Sequence, residues 1–115
     1  MNASELIAWQ WKTYARNHCS RSNLLLHIVV VPLFWIGNVM LVVALLRGAW
    51  LAALAGAALM VVSVALQGRG HKQEEVPPEP FSSPFNAVSR IFVEQWVTFP
   101  RYVLSGGWRD ALRHG

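Results

Sequence analysis

The chain has 115 residues, of which 54% are hydrophobic and 14% charged, with a formal net charge of +4. That length allows one domain, and a soluble domain of that size has too little interior for so much apolar surface. The ten Lys and Arg residues are scattered, with no basic block or helical stripe, which excludes the nucleic-acid partner that the charge invites.

Residues 4–17 read as a short amphipathic helix with Ser4 as N-cap and Leu6, Ile7, Trp9 and Tyr14 on its apolar side. Its tryptophans, followed by Lys12 and Arg16, suit a membrane–water boundary. Residues 23–46 contain no Lys, Arg, Asp or Glu and exceed the roughly 20 residues needed to cross hydrocarbon. Pro32 is tolerated in such a helix. Arg47-Gly48 is the turn, and residues 49–75 form a second spanning helix whose last turns extend into the cytoplasm. A soluble helical hairpin would need a polar face on both helices, and neither has one. Ala52 and Gly56 give small-xxx-small spacing that lets helices approach closely.

Residues 76–84 are a proline-rich link. In residues 85–99, apolar side chains recur at helical spacing, predicting a second amphipathic helix with Arg90 and Glu94 as a four-residue pair on its other side. Pro100 is expected to interrupt that helix and Gly106-Gly107 to end the ordered region. The fold class is all-α: residues 1–115 as a single membrane domain, an integral membrane helical hairpin with short amphipathic helices before and after it. Lys12, Arg16 and Arg21 before the first span, and Arg69, Lys72 and Arg90 after the second, place both termini in the cytoplasm. The bacterial inner membrane is the expected location.

Some polar residues are not explained by membrane crossing. Asn23 and His27 lie four apart on one side of the first span, and Ser63, Gln67, His71 and either Glu74 or Glu75 share a face of the second. With the turn at 47–48, antiparallel partners have numbers totalling about 95, so His27 and Asn23 come beside Gln67 and His71. His18 is close enough to fold over the same place. Up to three imidazoles and at least one carboxylate would suit iron(II), zinc or manganese. Singly, each of these residues also reads as an interfacial or hydrogen-bonding side chain, and Cys19 as incidental. The residues alone leave open a metal-dependent membrane enzyme, a transport accessory and a structural membrane protein.

Tyr14-xxx-His18-xxxx-Asn23-xxx-His27-xxxx-Pro32, then Gln67-xx-Gly70-His71-xx-Glu74-Glu75-x-Pro77, resemble the small membrane family typified by the fungal endoplasmic-reticulum 2-hydroxy fatty acid dioxygenase. The resemblance continues through Phe81-Ser82-Ser83-Pro84 and Glu94 to Arg101. It implies iron(II)-dependent oxidative shortening of a 2-hydroxy fatty acid by one carbon. His18, His27 and His71 match the family's proposed iron-binding histidines, and the family glutamate falls on Glu75, with Glu74 as a local variant. Glu74 or Glu75 is then a fourth ligand or orients an imidazole, while Asn23, Gln67, Tyr14 and Glu94 are second-rank positioning residues. Arg69 or Lys72 would steer the substrate carboxylate or anchor the helix end at the headgroups. The partners implied are membrane lipid and a 2-hydroxy fatty acid. Zinc is the rival metal. The rival function is a non-catalytic packing or assembly protein, a homo-oligomer joined through Ala52 and Gly56.

Overall fold

A computed structural model describes residues 1–114, in which all regular structure is helical. Helix α1 spans Ala3–Tyr14 and runs on through a tight 3₁₀ turn over Ala15–Asn17. Its cap is Asn2 rather than Ser4. The Asn2 side chain accepts from the Glu5 N–H at 2.8 Å, and the Glu5 carboxylate takes the Asn2 N–H at 3.0 Å, a reciprocal capping box.

Helices α2 (Arg21–Leu46) and α3 (Trp50–His71) form the hairpin, turned at Gly48, whose φ of 68° lies in the left-handed region that favours glycine. Both are long and apolar enough to cross a membrane. Only 28% and 22% of their most apolar stretches are buried, whereas a soluble core helix would be mostly buried. The pair closes tightly because Gly37 and Gly56 face each other. A Cβ on either would lie 2.7 Å from the other's carbonyl oxygen. Gly56 therefore lies inside the hairpin, and Ala52 is half-buried.

The facing pairs Asn23–Gly70, Val30–Ser63 and Gly37–Gly56 have numbers totalling 93, a register two residues away from the expected 95. Side-chain fit sets that slide: the glycines interlock, and the Ser63 hydroxyl donates to the Val30 carbonyl at 2.5 Å. Helix α3 ends at His71, one turn earlier than predicted, and residues 72–83 form a non-helical link.

Helix α4 (Pro84–Val93) starts with Ser83 as N-cap, its hydroxyl accepting from the Asn86 N–H at 3.0 Å, and Pro84 in the first turn. The chain then widens into a π-helical turn over Glu94–Thr98 and continues as α5 (Phe99–Leu104). Pro100 does not break this run. In the π turn the Phe99 N–H reaches back five residues to the Glu94 carbonyl. Pro100 has no N–H for the next carbonyl in that series, Gln95, and the Trp35 indole supplies one at 2.6 Å. Nor does Gly106-Gly107 end the ordered chain. Gly106, at φ 87°, turns it into α6 (Gly107–His114), whose Trp108, Ala111 and Leu112 pack on the core.

That core lies at the open end of the hairpin, where Tyr14, Leu24, Val31, Phe99 and Tyr102 meet. The Trp108 indole ties α6 to α2 by donating to the Leu24 carbonyl at 2.9 Å.

Candidate metal centre

Three imidazoles converge just inside this open end. The ring centres of His18, His27 and His71 are 4.7 to 5.1 Å apart, at interplanar angles of 78° to 90°. Two of them are oriented by their own chain. His18 Nδ1 lies 2.8 Å from the Tyr14 carbonyl, and His27 Nδ1 lies 3.0 Å from the Asn23 carbonyl, each four residues earlier. A carbonyl oxygen only accepts, so each Nδ1 carries a proton and each Nε2 of the neutral ring carries the lone pair. Tyr14-xxx-His18 and Asn23-xxx-His27 thus have a mechanical meaning: the spacing fixes ring and tautomer together.

The carboxylate among them is that of Glu94. Its Oε2 lies 3.4 Å from His18 Nε2 and 3.6 Å from His27 Nε2, and the Tyr14 hydroxyl donates to it at 2.8 Å. One donor atom from each of His18, His27, His71 and Glu94 falls within 4.8 Å of the others. The Arg90–Glu94 pair expected from helical spacing is absent among the described residues: the Glu94 N–H still bonds the Arg90 carbonyl in regular helical register, but the carboxylate is directed at the histidines and the guanidinium at the Glu79 and Pro80 carbonyls. Wide turns such as the π turn that begins at Glu94 are frequent at functional sites.

Glu75 is exposed and lies outside the cluster, since the helix that would have carried it inward stops at His71. Glu74 also lies outside it. Its carboxylate accepts from the Cys19 and Ser20 N–H groups at 2.8 and 3.0 Å and from the Asn23 amide at 2.6 Å. Glu74 therefore ties the end of α3 to the start of α2, just after His18. Asn23 is buried against Gly70, where any side chain on Gly70 would collide with its amide. Gln67 sits one turn below His71, in a reciprocal amide pair with Gln95 at 2.8 Å each way, and also donates to Ser63 at 3.0 Å. That network joins α2, α3 and the π turn and so sets the depth of Glu94. Arg69 and Lys72 are exposed.

The electrostatics call for positive charge at the centre. Burial alone would raise the Glu94 carboxyl, but the hydrogen bonds and charge that His18 and His27 supply when a proton sits on Nε2 outweigh burial and hold it well below the usual carboxylate range. Burial and that carboxylate push the Tyr14 phenol well above its usual value, so it stays protonated and donates. His18 Nε2, His27 Nε2 and His71 Nδ1 are buried without a hydrogen-bond partner. Lone pairs aimed at an ionised carboxylate repel it unless a cation lies between them, either added protons or one metal ion. Three nitrogens and one oxygen are a donor set that a divalent transition metal takes readily, so the residues fit such an ion.

Sequence reasoning placed Glu94 only among supporting residues and assigned nothing to Gln95. The available signal was the run Glu94-Gln95-Trp96 followed by Pro100, where a proline inside a helical pattern frees a carbonyl and invites a wider turn. Gln10 and Arg90 were also passed over as site residues. Gln10 donates to the Arg90 carbonyl at 3.0 Å and accepts from the Thr98 hydroxyl.

Fold and site together define a helical protein built on an apolar hairpin, with a three-histidine, one-glutamate nest capped by the flanking helices. The chain belongs to the family described as 2-hydroxy-palmitic acid dioxygenase Mpo1-like, whose profile matches residues 5–102. Comparison with curated proteins and with solved structures returns no significant match.

Proposed function

We propose that this is a membrane-embedded, iron(II)-dependent dioxygenase acting on 2-hydroxy fatty acids. The observation that carries the metal is the pair of tautomer-fixed Nε2 lone pairs of His18 and His27 converging on one Glu94 oxygen. The family description supports the substrate class. In the membrane the exposed apolar surface of α2 and α3 would meet lipid tails, with the histidine nest at the boundary and both termini cytoplasmic.

His18, His27, His71 and Glu94 would hold the ion, replacing the earlier assignment to Glu74 or Glu75. Bound there, iron(II) would supply the activation of dioxygen and a grip on the substrate's hydroxyl and carboxylate oxygens. The chain's residues do the remainder. Tyr14 holds the Glu94 carboxylate by its hydroxyl and stacks on His18 with ring centres 3.7 Å apart. The backbone carbonyls of residues 14 and 23 keep the lone pairs turned inward. The overall change balances with one dioxygen: the bond between the carboxyl carbon and the hydroxyl-bearing carbon breaks, and the products are the shortened acid, carbon dioxide and water.

The test is incubation of anaerobically purified protein with 2-hydroxyhexadecanoate labelled at the carboxyl carbon, then admission of oxygen. Labelled carbon dioxide and the shortened acid in equal amounts, dependent on iron(II) and absent in His71→Ala, are the expected result. Folded, iron-loaded protein that leaves the acid intact would overturn the assignment.

A further inference from the structure

Arg90 is a buried cation with no carboxylate in contact, the Glu79 and Glu94 charges acting on it only from beyond ion-pair distance. Its side chain is 8% exposed, and among the described residues no carboxylate lies within 4 Å of the guanidinium. Its protein partners are neutral: the Glu79 carbonyl at 2.7 Å, the Pro80 carbonyl at 3.2 Å, the Asn86 amide oxygen at 3.4 Å, and the rings of Trp9 and Phe81 on which it stacks. A guanidinium has five N–H donors and cannot shed its charge, so burial without an anion is costly.

This cation lines two cavities that also touch the histidine nest. The larger, about 240 Å³, is walled by His71, Glu94 and Arg90, and a small one beside it by His18, His71, Glu94 and Arg90. The larger cavity shares Val64 and Ile91 with a groove of about 380 Å³ between α3 and α4, whose other walls include Phe34, Met60, Val61 and Phe92. The cavity beside the candidate metal ligands and this cation therefore adjoins, across Val64 and Ile91, a wholly apolar trough on the hairpin surface.

We infer that Arg90 and this groove form the acid-binding subsite, the guanidinium taking the carboxylate of a long-chain fatty acid and the groove taking its tail. The inference rests on the proposed function for the acid's oxidation, but not for its binding. Charge complementarity selects the occupant. A lipid tail without a free carboxylate fills the groove equally well and leaves Arg90 unpaired, whereas a fatty acid satisfies both. The planar fork of arginine also suits a carboxylate better than a point charge does.

Binding is measured without oxygen, in mild detergent, using 2-hydroxyhexadecanoate and its methyl ester as probes on the full-length protein. The wild type is expected to prefer the acid by about tenfold or more, since a charge-assisted hydrogen bond is lost with the ester. Arg90→Gln should abolish that preference by weakening the acid and leaving the ester alone, and Arg90→Lys should restore part of it. Equal binding of acid and ester by the wild type would overturn the inference. So would an Arg90→Gln protein that loses both probes alike, which is what a purely structural tie between the 72–83 link and α4 predicts. Ala65→Phe, on the exposed wall of the groove, tests the tail without touching the cation. It should shift the binding ratio towards 2-hydroxyoctanoate, and an unshifted ratio would remove the groove from the account. Acid that binds through Arg90 but survives oxygen would defeat the dioxygenase reading and leave the subsite standing. Acid that is consumed although the ester binds equally well would do the reverse.

Discussion

The two ends of the α2–α3 hairpin invert the usual relation between polarity and burial. At the turn end, Leu46, Trp50 and Leu51 leave 71% to 84% of their surface exposed, and no flanking helix covers them. At the open end, Asn23, His27 and Ser63 have no exposed surface at all. A soluble protein arranges these the other way. The turn end suits a solvent as apolar as itself, whereas the open end encloses polar groups that need specific partners. The difference singles out one end: α1, the π turn, α5 and α6 all gather where the histidines are, and the far half of the hairpin is left bare.

The sharpest way to break this division is to change one residue at each end. His27→Ala should remove both bound metal and turnover, while Leu51→Ala, at the bare end, should retain both. Metal analysis and product formation on the two purified variants check this, and equal losses would show that the ends are not separate in role. Next in size is Tyr14→Phe, which deletes the donor to Glu94 but keeps the ring stacked on His18. Losing a group that orients a ligand typically lowers metal affinity or activity roughly 10–100-fold, and metal titration should read a loss in that range.

A third change probes what joins the ends. Gly56→Val places carbon where the Gly37 carbonyl oxygen and the Leu41 nitrogen already lie 2.7 Å away, so the helices must part. Overpacking of this kind costs about 1–3 kcal/mol. Thermal unfolding in detergent should show the lowered stability, and an unchanged midpoint would deny the close crossing. The smallest contrast separates neighbours. Glu74→Gln keeps an acceptor for the Cys19 and Ser20 N–H groups but removes its charge at a partly exposed site, so it should cost less than the glycine change and loosen His18. Glu75→Gln should leave stability and metal content unchanged, because its side chain is exposed.

Much of this architecture was legible in the residues. Uninterrupted apolar runs on either side of Arg47-Gly48 can hardly be anything but a helical pair, and the four-residue spacing of Asn23 and His27 puts both on one side of the first helix. The parts that were not legible depend on tertiary fit. Register is set by which glycines interlock, not by counting from the turn, so it slipped by two residues. Glu94 looked like a partner for Arg90 because the two do lie one helical turn apart, and spacing alone does not reveal that the histidines draw the carboxylate away. Arg90 looked like an outward-facing charge because nothing in the sequence reveals that residues 79 and 80 fold back over it. Helix α6 was missed because a glycine pair reads as an end, although Trp108, Ala111 and Leu112 lie on one helical face.

The central claim is that His18, His27, His71 and Glu94 together bind one divalent metal ion. The most direct measurement is anaerobic cobalt(II) titration of the metal-free protein, followed by the visible absorption of the bound ion, in the wild type and in Glu94→Gln and Glu75→Gln. One ion per chain with nitrogen-rich coordination, weakened in Glu94→Gln and unaltered in Glu75→Gln, is the predicted result. A folded wild-type protein that takes up no cobalt, or a site lost with Glu75 but kept without the Glu94 carboxylate, would contradict the account.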